Sequence, residues 1–504
     1  MERASPSPSG IPYDLAVIGG GVNGAAIARD AVGRGLSVLL LERGDLAQGT
    51  SSASTKLIHG GLRYLEHREF GLVREALAER EVLWAQAPHI IWPMRFVLPV
   101  TPGGRPAWML RAGLWLYDHL GKREKLPGTT GVDLRSEGAL LGLKPGPVRA
   151  YEYSDCWVDD ARLVTLLARD AADRGADVRT HAEVTALWRD GRGESSVWKI
   201  EAGGEVRVAR MVANAAGPQV GQVLDRAALP KPTTLRRVRG SHIVVPHLND
   251  DPRALFLQQP DGRLCFAIPY QHGFTLIGTT DAEEHVEIDP PRPDGDEIDY
   301  LLAAANRAFS HPVTRDDIVW SYAGVRLLAD DGSGRPEAAT RGYRFDLDRG
   351  ASGRDAPLLA VMGGKITTHR TLAMHALERL GVTQNEGWTA SAPLPGGDFE
   401  PDGLDEATNL APLEQDIAAE APQLPPGVIH RLARAYGTVA LGIASRNMGA
   451  DLGHGLFEAE LDHLVRREWA ATAADVLWRR SKLGLRLSRD QAANVEEWLE
   501  ARLR

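Results

Sequence analysis

Cysteine is almost missing from this chain: Cys156 and Cys265 are the only two among 504 residues. They are too few and too far apart for a disulfide framework or a Cys-rich metal centre, so buried free thiols in a reducing cytoplasm are expected. Long apolar runs are missing too. None reaches the roughly 18 residues that a membrane-spanning helix needs, and the opening MERASPSPSG has no apolar signal core, so any membrane association is expected to be peripheral. Basic residues are not in excess. With 58 Lys and Arg against 67 Asp and Glu the net charge is −9, which gives no global pull toward nucleic acid. The spacing of Glu and His suggests no metal site, no Ser-His-Asp arrangement stands out, and no internal repeat is visible. What remains is a chain that is 43% hydrophobic. It is long enough for two or three domains of mixed α/β type whose partners are small molecules.

The first informative stretch is Tyr13 to Leu41. Tyr13 to Ile18 is a short apolar strand, Gly19-Gly20-Gly21-Val22-Asn23-Gly24 supplies G-x-G-x-x-G, Ala25 to Arg34 has helical composition, and Leu36 to Leu41 reads as a second strand. Strand, turn, helix and strand form the context in which the motif binds a dinucleotide. Gly19 permits the tight turn, Gly21 lets a pyrophosphate approach the backbone, and Gly24 lets the helix pack on the strand with its positive end facing phosphate. Glu42 follows, 23 positions after Gly19. A carboxylate at this distance accepts hydrogen bonds from the adenosine ribose and disfavours a 2′-phosphate, which argues against NADP.

Further along, Asp159 to Gly175 reads as a helix with Leu163, Leu166, Leu167 and Ala171 on one side, followed by a strand-like Ala176 to Leu187. Arg210 to Pro218 is a strand ending in small residues that returns to the nucleotide domain. Ile243 to Pro246, Leu264 to Pro269 and Phe274 to Gly278 are spaced like antiparallel strands of a second, substrate-binding domain. Ser391 to Gly403 is the clearest linker. Beyond it Phe457, Leu461, Leu464, Val465 and Trp469 recur at helical spacing, Thr472 to Asp475 caps a further helix, and Ser488 to Gln491 matches a capping box. The expected organisation is an N-terminal tail over 1–12, a Rossmann-like nucleotide-binding domain interleaved with an antiparallel-sheet substrate domain over 13–395, and an all-helical C-terminal domain over 396–504.

The segment Thr50-Ser-Ser-Ala-Ser-Thr-Lys-Leu-Ile-His-Gly-Gly-Leu-Arg-Tyr-Leu-Glu66 closely resembles the flavin-dependent glycerol-3-phosphate dehydrogenases of bacteria and mitochondria. Five further segments resemble the same family in the same order: Tyr153 to Arg162, Gly240 to Val245, Ile277 to Asp281, Ser321 to Arg326 and Gly363 to Thr368. Glu468-Trp469 and Val476 to Arg480 resemble its C-terminal domain, so the likeness covers roughly 480 residues. Two departures stand out. Leu327-Leu328 follows Arg326 where the family often has Arg-Pro-Leu, which bears on the shape of the substrate loop. Gln219 follows Gly217-Pro218 where a Trp is usual, which bears on packing near the flavin.

The resemblance implies a D-amino-acid-oxidase-like fold, FAD as cofactor, oxidation of sn-glycerol 3-phosphate to dihydroxyacetone phosphate, and re-oxidation by membrane quinone. An oxidase that passes electrons to oxygen and a flavin-binding sensor that does not turn over are the alternatives. For the substrate phosphate the candidates are Arg63, Arg326 and Arg341, because a guanidinium fork grips tetrahedral oxygens bidentately; Tyr64 lies beside Arg63. His59 is the leading candidate for the base that takes the hydroxyl proton, and His242 the second. Lys365, after two glycines, is expected near the substrate oxygens or the flavin edge, with a surface cation as the alternative. The resemblance places Gly19, Gly21, Asn23, Gly24, Glu42, Arg43, Ser51, Ser52, Lys56, Leu57, His59, Gly61, Val184, Ala216, Gly217, Asp281, Gly364, Lys365, Ile366 and Thr367 around the cofactor.

Two stretches bear on partners. Trp108 to Tyr117 is rich in Trp and Leu and flanked by Arg105, Arg111, Lys122, Arg123 and Lys125. It suits an anionic membrane surface, consistent with a peripheral position on the cytoplasmic face of the inner membrane, and equally suits core packing with a charged rim. Arg479, Arg480, Lys482 and Arg486 read as a solvated basic face, with a subunit contact, as in a homodimer, the alternative.

Overall fold

The computed structural model describes residues 11–121, 123–231, 235–284, 289–329, 342–401 and 403–503. Arg341, Lys122 and residues 1–10 of the expected tail lie outside them.

Two sheets organise the chain. In the first, five parallel strands run in the spatial order Leu358–Gly363, Glu205–Asn214, Tyr13–Ile18, Val38–Leu41, Asp177–Arg179. Leu15, Ala16, Val17 and Leu39 to Leu40 are fully buried, as expected of parallel strands covered on both faces. The helix Val22–Gly33 covers one face together with Asp160–Asp173 and His369–Leu380. The expected return of Arg210 to Pro218 to the nucleotide domain is seen: Ala213 pairs in parallel with Val17.

The second sheet has ten strands and is antiparallel except where Ala254–Gln258 meets Ile91–Pro99. Leu264–Tyr270 and Phe274–Gly278 form a hairpin, and the latter pairs with Leu235–Pro246. Leu235–Pro246 also pairs with Trp320–Ala329, in a register that sets Val238 opposite Arg326 and His242 opposite Tyr322.

The stretch Ala176 to Leu187 is not one strand. It divides into Asp177–Arg179, which extends the parallel sheet, and the start of Val184–Asp190, which pairs antiparallel with Val197–Ala202. His181, at φ +53°, turns the chain between the two, a left-handed conformation that propensity alone does not reveal.

Five α-helices, Glu406–Glu420, Pro426–Tyr436, Val439–Ala444, Glu458–Glu468 and Arg489–Leu503, build the C-terminal region around Leu410, Leu432, Leu461, Leu464 and Val495. The capping box is present: Ser488 N–H donates to Gln491 Oε1 at 3.0 Å and Gln491 N–H to Ser488 Oγ at 3.2 Å. The linker segment is packed on both sides. Leu394 N–H donates to Gln86 O, Thr438 N–H donates to Gly396 O, and a Cβ at Gly396 would meet Tyr436 O at 2.1 Å.

Of the basic stretch near the C-terminus, expected to be a solvated face, only Arg486 is exposed. Arg480 and Lys482 are buried, Arg479 and Arg480 both bind Asp45, and Arg486 donates to the carbonyls of Gln271 and His272 at 2.7 and 2.9 Å. These cations neutralise a buried carboxylate and satisfy a turn of the sheet domain, long-range partners that the local charge pattern cannot show.

Candidate active site

The G-x-G-x-x-G turn lies at the carboxyl end of the parallel strands, where open α/β sheets bind ligands. Gly19 has φ +109°, and a Cβ there would sit 2.6 Å from Ala215 O. Gly21 caps the helix Val22–Gly33 without a side-chain hydrogen bond, and the first turn carries no acidic residue. The positive helix end is therefore left for an anion. Ser51 Oγ accepts from Val22 N–H at 2.9 Å, which brings the Thr50 to Ser52 turn over the helix start. Glu42 is fixed by two backbone donors, Gly20 N–H at 2.6 Å and Gly44 N–H at 2.9 Å. Gly363 and Gly364, at φ +73° and +92°, close the other side, where Asn23 Nδ2 donates to Gly363 O at 3.0 Å. A Cβ on Gly364 would press within 3.0 Å of Asn23. The cradle has the glycines, helix end and carboxylate that a dinucleotide requires, and these residues fit FAD.

His59 follows the short strand Leu57–Ile58, and its backbone N–H donates to Thr367 Oγ1 at 3.2 Å. The two segments expected to flank the flavin therefore meet. Gly60 N–H donates to Tyr117 Oη at 2.7 Å, and Tyr117 Oη donates to Asp155, which also pairs with Arg80 at 2.8 Å. Burial raises the Tyr117 phenol well above its ordinary range, helped by the charge of Asp155, so this anchor stays protonated. Sequence reasoning missed Tyr117 and Asp155. The signal available was an acidic residue, Asp155, in the buried half of the strand Arg149–Val158, next to Cys156, Trp157 and Val158.

The cationic residues converge around one carboxylate. Arg326 Nη1 donates to Asp281 Oδ1 at 2.8 Å, and Arg63 Nη1 lies 3.8 Å from Asp281 Oδ2. Asp281, expected beside the flavin, is thus engaged with the two arginines expected to hold phosphate. Lys365 Nζ sits 3.8 Å above the ring of Tyr64, so these two candidates also meet. Gly61, at φ +76°, underlies that ring: a Cβ there would come within 2.1 Å of it.

His242 is sealed. Its Nε2 is 3.0 Å from Thr55 Oγ1, its ring stacks on Tyr322 at 4.9 Å, and Nδ1 is buried without a hydrogen-bond partner among the described residues. Burial, reinforced by the charges of Arg326 and Lys56, holds its pKa well below the ordinary imidazole range, so the ring is neutral. Lys56 is turned inward: its ammonium donates to Asp160 at 2.7 Å with both side chains fully buried, and to Ser52 O at 3.1 Å. Its charge thus braces the Ser51-Ser52 turn from beneath. Arg43 is half exposed on Asp289 at 2.6 Å, and Val184 is a buried strand residue. Ala216 and Gly217 follow the strand Glu205–Asn214 at the same sheet end as Gly19, and Ile366 and Thr367 form the turn before the helix His369–Leu380.

Comparison with known proteins agrees with this geometry. The family described as FAD dependent oxidoreductase matches residues 14–368, and the C-terminal domain of alpha-glycerophosphate oxidase matches residues 388–501. The chain is 49% identical to the aerobic glycerol-3-phosphate dehydrogenase of Escherichia coli (strain K12), over 96% of this chain and 97% of that one. It is 46% identical to the D-erythritol 1-phosphate dehydrogenase of Brucella abortus (strain 2308), over 97% of each. Among solved structures, the glycerol-3-phosphate dehydrogenase from Bacillus halodurans complexed with FAD superposes with a TM-score of 0.72 at 26% identity, covering 98% of this chain and 95% of that one.

Proposed function

The chain belongs to the FAD dependent oxidoreductases that end in the C-terminal domain of alpha-glycerophosphate oxidase, and on that footing we propose that it oxidises sn-glycerol 3-phosphate to dihydroxyacetone phosphate. The observation that carries this reading is the pairing of Arg326 and Arg63 on Asp281, next to a cradle suited to FAD. Two guanidinium groups facing one carboxylate leave an excess of positive charge that suits the pocket to a phosphate.

Bound FAD supplies the acceptor for the hydride that leaves the substrate's C2. The turn at Gly21, Ser51, Ser52 and Glu42 holds its pyrophosphate and ribose, and the segments around His59, Gly61, Gly364, Ile366 and Thr367 line the flavin. Arg63 and Arg326, with Arg341, hold the substrate phosphate and so fix the carbon chain in one orientation. Lys365, on the face of Tyr64, stabilises negative charge developing on the substrate oxygen. His59 takes the hydroxyl proton, because it stands where the two flavin-facing segments meet. His242 is the second candidate for that role, favoured by its buried Nδ1 without a partner.

A second substrate, D-erythritol 1-phosphate, is favoured by the likeness to the Brucella dehydrogenase. It needs the same phosphate grip and more room at the far end of the polyol, so relative kcat/KM for the two phosphates decides between them.

For the acceptor we propose membrane quinone, reached from the cytoplasmic side through the helix Ala107–Leu120. Leu110, Leu114 and Tyr117 of that helix are buried, whereas Trp108 is 73% and Trp115 60% exposed, with Arg105, Arg111, Arg123 and Lys125 nearby in sequence. Exposed indoles among basic residues suit an anionic lipid surface. No helix among the described residues is long and apolar enough to cross a membrane, so this contact is peripheral. Quinone-analogue reduction on anionic vesicles and peroxide release in air, measured side by side, test the acceptor: fast quinone reduction with little peroxide is expected, and stoichiometric peroxide assigns an oxidase.

A further inference from the structure

Away from the flavin cradle, three residues from distant parts of the chain converge where the sheet domain meets the C-terminal helices. His272 lies in the hairpin turn between Leu264–Tyr270 and Phe274–Gly278, Glu406 begins the helix Glu406–Glu420, and His430 lies in the helix Pro426–Tyr436. Their Nε2, Oε1 and Nε2 atoms all lie within 4.8 Å of one another. The separations are 3.0 Å between the two imidazole nitrogens, 3.5 Å from His430 to Glu406 and 3.8 Å from His272 to Glu406. Ligands on a tetrahedral Zn2+, bound at about 2.0–2.1 Å, stand roughly 3.3 Å apart. The observed spacings bracket that value.

Three further features suit a metal. His430 Nδ1 is 2.7 Å from Glu414 Oε1, the carboxylate–histidine arrangement that places the ring proton on Nδ1 and turns the Nε2 lone pair outward. Glu406 Oε1 is buried and held by ion pairs, to Arg434 Nε at 3.2 Å and His430 Nε2 at 3.5 Å, with no aligned hydrogen bond among the described residues. The His272 side chain is 58% exposed, which leaves an entry path and a fourth position for water. The turn is also built for position: Gln271 and His272 both have φ +48°, and Arg486 holds their carbonyls from the C-terminal side.

We propose that His272, Glu406 and His430 bind a divalent metal ion of the Zn2+ class that staples the C-terminal domain to the sheet domain. Two imidazoles and a carboxylate favour Zn2+ over Mg2+ or Ca2+, which prefer oxygen ligands. Pairing with Glu406 and Glu414 raises the pKa of His430, so the ion binds in competition with a proton. Arg434 opposes binding: its Nη1 is 3.4 Å from His272 Nε2 and its Nε 3.2 Å from Glu406 Oε1. A bound ion displaces the first of these contacts, so Arg434 sets an upper limit on affinity.

The test uses full-length flavin-loaded enzyme, stripped with chelator and titrated with Zn2+ by calorimetry, with metal content measured after gel filtration. The expected result is a single Zn2+ per chain and a raised melting temperature. His272→Gln, an exposed position that leaves folding intact, weakens binding at least about a hundredfold. Arg434→Gln tightens it. X-ray absorption showing two imidazole nitrogens on the bound ion supports the site. Substoichiometric Zn2+, or binding unchanged in His272→Gln, overturns the proposal.

Discussion

Arg480 grips Asp45 through two hydrogen bonds, Nη2 to Oδ1 at 2.7 Å and Nη1 to Oδ2 at 2.9 Å, and both side chains are buried. Asp45 belongs to the loop that begins at Glu42, and Ala47 N–H of that loop donates to Gly20 O at 3.0 Å. The C-terminal domain is thereby tied to the G-x-G-x-x-G turn. Glu468 extends the network, since its carboxylate takes Arg162 Nη2 at 2.9 Å and lies 3.6 Å from Arg480 Nε.

Asp45→Asn is expected to destabilise the protein by about 3–5 kcal/mol, because it leaves Arg480 buried beside a neutral partner. Because the loop also shapes the Gly20 turn, flavin affinity should fall as well. Thermal melting with and without added FAD checks this, and a variant that melts like wild type in both conditions removes the proposed coupling.

Arg326→Gln should raise KM for glycerol 3-phosphate roughly ten- to hundredfold, the equivalent of one or two hydrogen bonds to a charged group. Flavin content should not change. Steady-state kinetics with glycerol 3-phosphate distinguishes this from a folding defect, and an unchanged KM would remove Arg326 from the phosphate pocket.

His59→Asn should slow flavin reduction by about 10²–10⁴-fold and flatten the acidic limb of its pH profile, as loss of a general base does. His242→Asn should leave that limb in place. Stopped-flow reduction across pH decides the assignment, and the opposite pattern transfers the role to His242.

His89 is fully buried, neither ring nitrogen has a partner among the described residues, and burial, with Arg162 nearby, lowers its pKa to about 3. The unfolded chain takes up a proton near pH ~6.5 that the folded chain refuses until about pH 3. His89 therefore costs no stability above the unfolded value, and stability is lost as pH falls from there toward 3, by about 1.4 kcal/mol per unit. Burial also lowers His369, to about 4, so it adds to the same slope. His89→Phe should flatten the decline in melting temperature between pH 6.5 and 4, and an unchanged slope would contradict this reading.

The nucleotide unit was legible because its chemistry demands a local signature: glycines at Gly19, Gly21 and Gly24 and a carboxylate at Glu42. Arg63, Arg326 and Lys365 were legible only through family resemblance. The meeting of Arg63 and Arg326 on Asp281 depends on the register that sets Arg326 opposite Val238 and on a turn that brings Asp281 to Arg326. Neither leaves a local pattern. Arg479 and Arg480 read as a surface because their partner, Asp45, lies more than 400 positions away. His272 lies 158 positions before His430, and that separation hid the cluster of His272, Glu406 and His430 from any search by spacing.

Anaerobic titration of the flavin-loaded protein with sn-glycerol 3-phosphate tests the central claim most directly. Stoichiometric bleaching of the visible flavin absorbance with glycerol 3-phosphate, and none with glycerol, is the expected result. A spectrum unchanged by the phosphate ester would contradict it.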